Sequence, residues 1–206
     1  MSLTQVPNDA IADASVTTQK LADSSVTSSK IADGSVSTAE LTDGGVTPEK
    51  LAQPLTQSTA QATTSGTVKD FTNIPSWVKR ITITLQNVST NGTSHKLLRI
   101  GNGGALATSG YSSNCAIYST GTIMASSSAG FIIFTAAATD ALNAVCQLVH
   151  MGGNLWVFSH VGHIGISFTA NGGGSLQLSG PLDAIRLTTV NGTDVFDAGS
   201  MNILYE

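Results

Sequence analysis

Large aliphatic residues recur every ten positions through the first fifty residues, on a background of Ser, Thr, Ala and Asp. Valine stands at Val6, Val16, Val26, Val36 and Val46; leucine or isoleucine stands at Ile11, Leu21, Ile31, Leu41 and Leu51. The intervening residues keep the same order, as in Asp23-Ser24-Ser25-Val26-Thr27-Ser28-Ser29-Lys30-Ile31-Ala32. A fixed period of this kind predicts one small unit stacked along an axis.

Each unit carries helix punctuation. Thr17, Thr27, Ser37 and Thr47 stand where an N-cap oxygen can accept from an orphan backbone N–H. Ser37 and Glu40 have capping-box spacing. Pro48 follows Thr47 at a first helical position, where its missing N–H costs nothing. Gly34 and Gly44 suit the left-handed conformation that ends a helix. The decade therefore predicts a residue or two of extended chain through valine, one or two helical turns through the Leu/Ile, and a turn. So short a helix is unstable alone. The repeats contain no aromatic residue, and each valine and leucine needs a surface to bury against. Sister chains supply that surface, so residues 1–52 predict a parallel homo-oligomeric stalk with the ten aliphatics on its axis. Three chains is the expected number, although the spacing does not select it. A disordered low-complexity leader would not need a strict aliphatic register. A heptad coiled coil is disfavoured by the ten-residue period and the Asp-Gly turns.

The pattern changes after an uncharged neck, residues 53–67. From Val68 onward strand-like runs follow in close order, separated by Gly and Asn turns, the first within Val78–Val88. Ile81-Thr82-Ile83-Thr84-Leu85 alternates cleanly and Asn91-Gly92 follows as a turn signal. Further strands are expected at His95–Ile100, Cys115–Ser119, Phe131–Thr135, Val145–Met151, Leu155–Val161, Ile164–Ala170, Ser175–Leu178, Ala184–Val190 and Asn202–Tyr205, with a hairpin at Gly152-Gly153-Asn154. Ala136–Ala144 is the one helical candidate, a single turn. Many short strands without crossover helices predict an all-β knob over 68–206, an antiparallel β-sandwich of jelly-roll type.

Charge divides along the same line. The chain carries a formal charge of −4. Residues 1–52 hold three lysines and seven acids, so residues 53–206 are neutral, with six of each sign. A neutral knob lacks the basic footprint of a nucleic-acid binder or of an anionic-membrane binder. It fits recognition by shape and hydrogen bonds, as of a neutral sugar. No 18-residue apolar run predicts a membrane span. No secretory leader is read, so Cys115 and Cys146 are expected as reduced, buried small hydrophobes.

No constellation predicts catalysis, a cofactor or a metal. His160 and His163 form a His-x-x-His pair with His150 nearby, but residues three apart on a strand point to opposite faces unless Gly162 makes a bulge. Asp194 and Asp197 flank Phe196 as a pair of carboxylates of the kind glycoside cleavage uses, yet the acids are few and Asn191-Gly192-Thr193-Asp194 reads better as a turn. Gly172-Gly173-Gly174 is expected as a flexible loop, without the lysine and helix that phosphate binding needs. Asn87, Asn91 and Asn191 fit the glycosylation sequon and are expected as unused turn residues.

The Asp-Gly-Ser-Val decades resemble those near the N-termini of tailed-bacteriophage fibre proteins. Ile74–Thr82, Val88–Gly92 and Thr188–Tyr205 resemble segments of phage fibre and receptor-binding tip domains. The resemblance covers most of the chain. It implies a homotrimeric virion fibre, assembled in a bacterial cytoplasm, that meets other virion proteins through its N-terminus and a host surface glycan or protein through its tip. A head or neck fibre with a structural role is the alternative, since the chain is short for a tail fibre; a glycan-cleaving tailspike is a third. For receptor contact, exposed aromatics flanked by polar residues are the candidates: Tyr111 with Ser112 and Asn114, and Trp77, which alternatively plugs the base of the sandwich.

Overall fold

The computed structural model describes residues 11–206, except 13, 14, 38, 43, 44, 47–49, 52, 119–121, 134–136, 139, 166 and 167. The chain divides into two compact units, Met1–Thr47 and Pro48–Glu206. Val6, Gly44, Thr47 and Pro48 lie outside the described residues.

In the first unit the expected helical turns are reduced to single 3-10 turns, Thr18–Lys20 and Ser28–Lys30. They close before the aliphatic residue, and Leu21 and Ile31 are already extended. Thr17 and Thr27 occupy the cap position with extended backbones, yet their hydroxyls make no capping bond. A turn of three residues leaves few N–H groups orphaned, and at an exposed site water serves them as well as a hydroxyl does. Lysine takes the bracing role instead. Lys20 Nζ donates to Ser15 O at 2.6 Å, and Lys30 Nζ donates to Ser25 O at the same distance. Ser37 caps in both senses: Ser37 N donates to Glu40 Oε2 at 2.7 Å, and Ser37 Oγ accepts from Ala39 N at 3.3 Å, one residue short of the expected box partner. The Ser37 hydroxyl donates to that carboxylate as well, and chiefly for this reason the Glu40 pKa is lowered. Gly34 has φ +74°, and Ser24, one decade earlier, takes the same left-handed backbone at φ 61°.

The second unit is all-β and antiparallel. Its fourteen strands among the described residues are β1 Thr56–Gln57, β2 Gln61–Ala62, β3 Lys69–Thr72, β4 Arg80–Thr90, β5 Lys96–Asn102, β6 Ala105–Leu106, β7 Ser112–Tyr118, β8 Thr122–Ser127, β9 Phe131–Ile133, β10 Leu142–Gly152, β11 Leu155–Ile164, β12 Phe168–Gln177, β13 Ala184–Thr189 and β14 Phe196–Tyr205. A large sheet runs β1-β14-β4-β10-β11-β12-β7-β8, with β2 also on β14. A smaller one runs β3-β13-β5-β6, with β9 also on β5. Their inner faces share one apolar core, as in a β-sandwich. The strand order departs from the expected jelly roll: β10, β11 and β12 are consecutive neighbours in one sheet, whereas jelly-roll strands form two interleaved Greek keys.

Alternation decides which side chains enter the core. Ile81, Ile83 and Leu85 of β4 are buried, as are Leu142, Ala144, Cys146 and Leu148 of β10 and Trp156, Phe158 and His160 of β11. Each fully buried branched aliphatic contributes roughly 1.5–3 kcal/mol. Phe158 stacks on Phe131 at 4.6 Å between ring centroids and 14° between planes, tying β11 to β9 of the other sheet. Gly152, Gly153 and Asn154 turn the β10–β11 hairpin with positive φ, as their sequence predicts.

Gly172-Gly173-Gly174 is not a loop. It lies within β12, where Gly172 pairs with His160 on one side and Cys115 on the other. A Cβ on Gly172 would come within 2.5 Å of Asn114 O and of the His160 ring, and one on Gly174 within 2.5 Å of Ser112 O. The glycines are there because neighbouring strands press on them. The strand expected at Ile164–Ala170 is split, since Ile164 ends β11, Gly165 follows at φ 55° and β12 begins at Phe168; the continuous β12 then joins its later part to the strand expected at Ser175–Leu178. The segment proposed as a helical turn contributes Leu142 onward to β10, and Asp140 Oδ2 accepts from Ala137 N ahead of it.

Candidate functional site

The hairpin β7–β8 at one end of the large sheet carries a hydroxyl-lined depression of about 510 Å³. Register sets it out: Ser113 faces Ser127, and Asn114 faces Ser126. Ser112 and Ser128 complete the rim. Two of these hydroxyls are committed to the fold. Ser113 Oγ accepts from Ile132 N at 3.0 Å, and Ser127 Oγ accepts from Ala129 N at 3.1 Å. Ser112, Asn114 and Ser126 are exposed and make no side-chain hydrogen bond within the described residues. The depression therefore offers uncharged donors and acceptors to an incoming molecule. Its side-chain polar groups are a carboxamide and hydroxyls, which both donate and accept hydrogen bonds.

Tyr111 is placed differently from its expected role. Its ring is 4% exposed and stands edge-on to Phe131 at 4.9 Å. Its oxygen accepts from Ile100 N at 2.8 Å and lies 3.2 Å from the Ile100 and Ala107 carbonyls, to which its hydroxyl can donate. Burial pushes the phenol up to about 12. Tyr111 thus supports the depression from beneath and presents no stacking face. Trp77 is half-buried, with its ring 6.0 Å from that of Tyr205, and packs against the core; it does not line the depression. Of the four expected residues, the structure brings Ser112 and Asn114 together at the surface with Tyr111 below, and leaves Trp77 apart.

The exposed aromatic on this sheet is Tyr118, at 52%. It borders a broader depression of about 870 Å³ that crosses β7, β12, β11 and β10 and shares Asn114 with the first. Gly173 hollows its floor between Ser159 and Asn114, while Asn171 and Gln147 add free carboxamides. Sequence reasoning missed Tyr118 and the Ser126–Ser128 run. The available signal was the length of uncharged Ser-rich chain between two expected strands.

The remaining candidates have structural places. His160 points into the core and His163 outward, so they do not converge; the β10–β11–β12 register runs through Gly162 without a bulge. Neither ring nitrogen of His160 has a partner, and burial pushes its pKa down to about 4. His150 lies against Trp156 at 5.1 Å. Asp194 accepts from Ser94 N at 3.0 Å and from Asn191 Nδ2 at 2.5 Å, and Asp197 accepts from the Ser89 hydroxyl. Asn191 Oδ1 accepts from Thr193 N and Asp194 N, forming the expected side-chain turn. Asn91 Oδ1 accepts from Val195 N at 2.8 Å, and Asn87 sits at a register shift in β4 with φ 50°. Cys115 and Cys146 are buried and not disulfide-bonded, and burial pushes the Cys146 thiol up to about 12. Comparison of the chain with family models, with curated proteins and with solved structures finds no match.

Proposed function

We propose that this chain is a structural fibre protein of a tailed-bacteriophage virion. Three copies associate through the decapeptide repeats, the N-terminus meets other virion proteins, and the C-terminal β-sandwich attaches without catalysis to a host surface receptor. One observation carries the reading. Across the described repeats, Ile11, Val16, Leu21, Val26, Ile31, Val36, Leu41, Val46 and Leu51 are all 44–52% exposed. Nine aliphatics left to water at one repeated setting ask for a surface that the single chain does not supply. Identical copies in parallel register supply it at every level at once.

The receptor class follows from the uncharged depression around Ser112, Asn114 and Ser126, which suits a neutral glycan. Three weak sites on one fibre gain by effective concentration. Sedimentation equilibrium of the full chain, with binding of the labelled protein to whole host cells, tests the proposal. The expected result is a mass of three chains and saturable adhesion that weakens in S112A/N114A. A single-chain mass at high concentration overturns the fibre. A trimer that binds no cells, and whose absence leaves virions infective, replaces adhesion with a structural head or neck fibre. Release of reducing sugar from host polysaccharide would replace it with a tailspike.

A further inference from the structure

The two outer faces of the β-sandwich differ in character. On the smaller sheet, the outward row Asp70–Arg186–Arg99 carries charge. Arg186 Nε and Nη2 hold the Asp70 carboxylate at 2.7 and 2.6 Å. On the large sheet, the outward row of the β10–β11 hairpin is uncharged apart from the titratable His163 at its end, with valine pairs alternating with the polar pairs Asn143–His163 and Gln147–Ser159. Val145 pairs with Val161 and Val149 with Val157. These four are 37–59% exposed, and Met151 beyond them is 68% exposed. Gln147 and Ser159, uncharged, lie between the two valine pairs. The charged Arg80, register partner of Val149, is ion-paired with Glu206.

We infer that this β10–β11 face is a contact surface for a second copy of the same chain. The inference rests on the homo-oligomer proposed above and extends it to the C-terminal unit. The size of the patch sets its share of the contact. At these exposures the five side chains present on the order of 400 Å² of apolar surface. That is about half of the roughly 800 Å² that each partner gives to a standard stable interface, so this face adds to the association through the repeats and does not replace it. The occupant is a sister chain because copies joined by the repeats meet at high local concentration; about a three-fold axis the β10–β11 faces of the three copies converge, each meeting both neighbours. Valine suits the position doubly, since it favours the strand and loses little side-chain entropy on being covered.

The test is oxidation of the full-length protein by dilute peroxide, read residue by residue by mass spectrometry, alongside its sedimentation mass. Met201, 1% exposed, is the internal slow reference. In the assembled wild type, Met151 is expected to react at least tenfold more slowly than free methionine. In V157E/V161E it is expected to react at the free rate, while the repeats keep the chains associated. If the Glu pair fails to fold by circular dichroism, V157T/V161T replaces it, with a several-fold acceleration expected. Met151 reacting at the free rate in an oligomeric wild type overturns this inference and leaves the fibre proposal standing. Unchanged Met151 protection in a folded variant also overturns it. A wild type that sediments as one chain overturns both.

Discussion

The repeat unit and the β-sandwich use similar aliphatic residues in opposite ways. In the sandwich, Ile81, Ile83, Leu97, Leu98 and Ile100 are fully buried within a single chain. In the repeats, every described valine and leucine or isoleucine stays about half exposed. The difference is periodicity and partners. A period of two on several strands gives two faces that can close on each other, whereas a period of ten places one side chain per turn of chain and brings it no second layer. The sandwich therefore carries its own core, and the described repeat aliphatics have none within the single chain.

The largest expected effect tests that division directly. Leu21→Asp with Ile31→Asp places charges on the aliphatic column. It should abolish oligomer formation through the repeats, with the melting of the sandwich moved only slightly; sedimentation and calorimetry read the two outcomes separately. The reciprocal change is Phe158→Ala, which removes the ring stacked on Phe131. It should cost about 3–5 kcal/mol in the sandwich by denaturant unfolding, with less loss if the site collapses. If Phe158→Ala loosens the repeats as much as the sandwich, the two units are not energetically separate.

Acidification sharpens the contrast further, because the buried neutral imidazole belongs to the sandwich alone. His160 binds its proton near pH 4 in the fold and near 6.5 when unfolded. Between those values the unfolded chain holds more protons, so stability falls as the pH falls from about 6.5 to about 4. The full loss is roughly 3 kcal/mol. His160→Leu should flatten this limb of the stability curve, measured by urea midpoints from pH 7 to 4. The smallest effect returns to the repeats. Ser24 has the left-handed backbone that Gly34 fills in the next decade. Ser24→Gly should stabilise the assembled repeats by about 1 kcal/mol, seen as a small rise in their melting temperature.

How much of this was legible depended on whether the governing contact was local. The Ile81-Thr82-Ile83-Thr84-Leu85 alternation and the Gly152-Gly153-Asn154 hairpin were readable because period and turn chemistry lie within a few residues. The aliphatic column was readable for the same reason, though not the tightness of its turns. Gly172–Gly174 misled because a glycine run signals a loop, while its cause here is the press of His160 and Asn114 from strands distant in sequence. Strand β3, Lys69-Asp70-Phe71-Thr72, was missed because its charged pair hides the pattern until Arg186 arrives to neutralise Asp70. Ser112 and Asn114 were identifiable as polar neighbours in a turn-rich stretch. Tyr111 was not readable as buried, since its oxygen meets Ile100 and Ala107 in a loop closure that no spacing announces. The serines of β8 join the depression only through strand pairing.

The matching Lys20–Ser15 and Lys30–Ser25 bonds have one more consequence. Each lysine reaches back five residues, so the contact is complete inside its own module and ignores how many modules stand before or after it. Excising ten residues, or duplicating them, rejoins like with like and changes only reach. A deletion of seven would instead join unlike positions of the decade and break the module in which it falls, while modules further along keep their own lysine–carbonyl bonds. Whole decades are thus the steps by which the repeats lengthen or shorten without leaving a broken module.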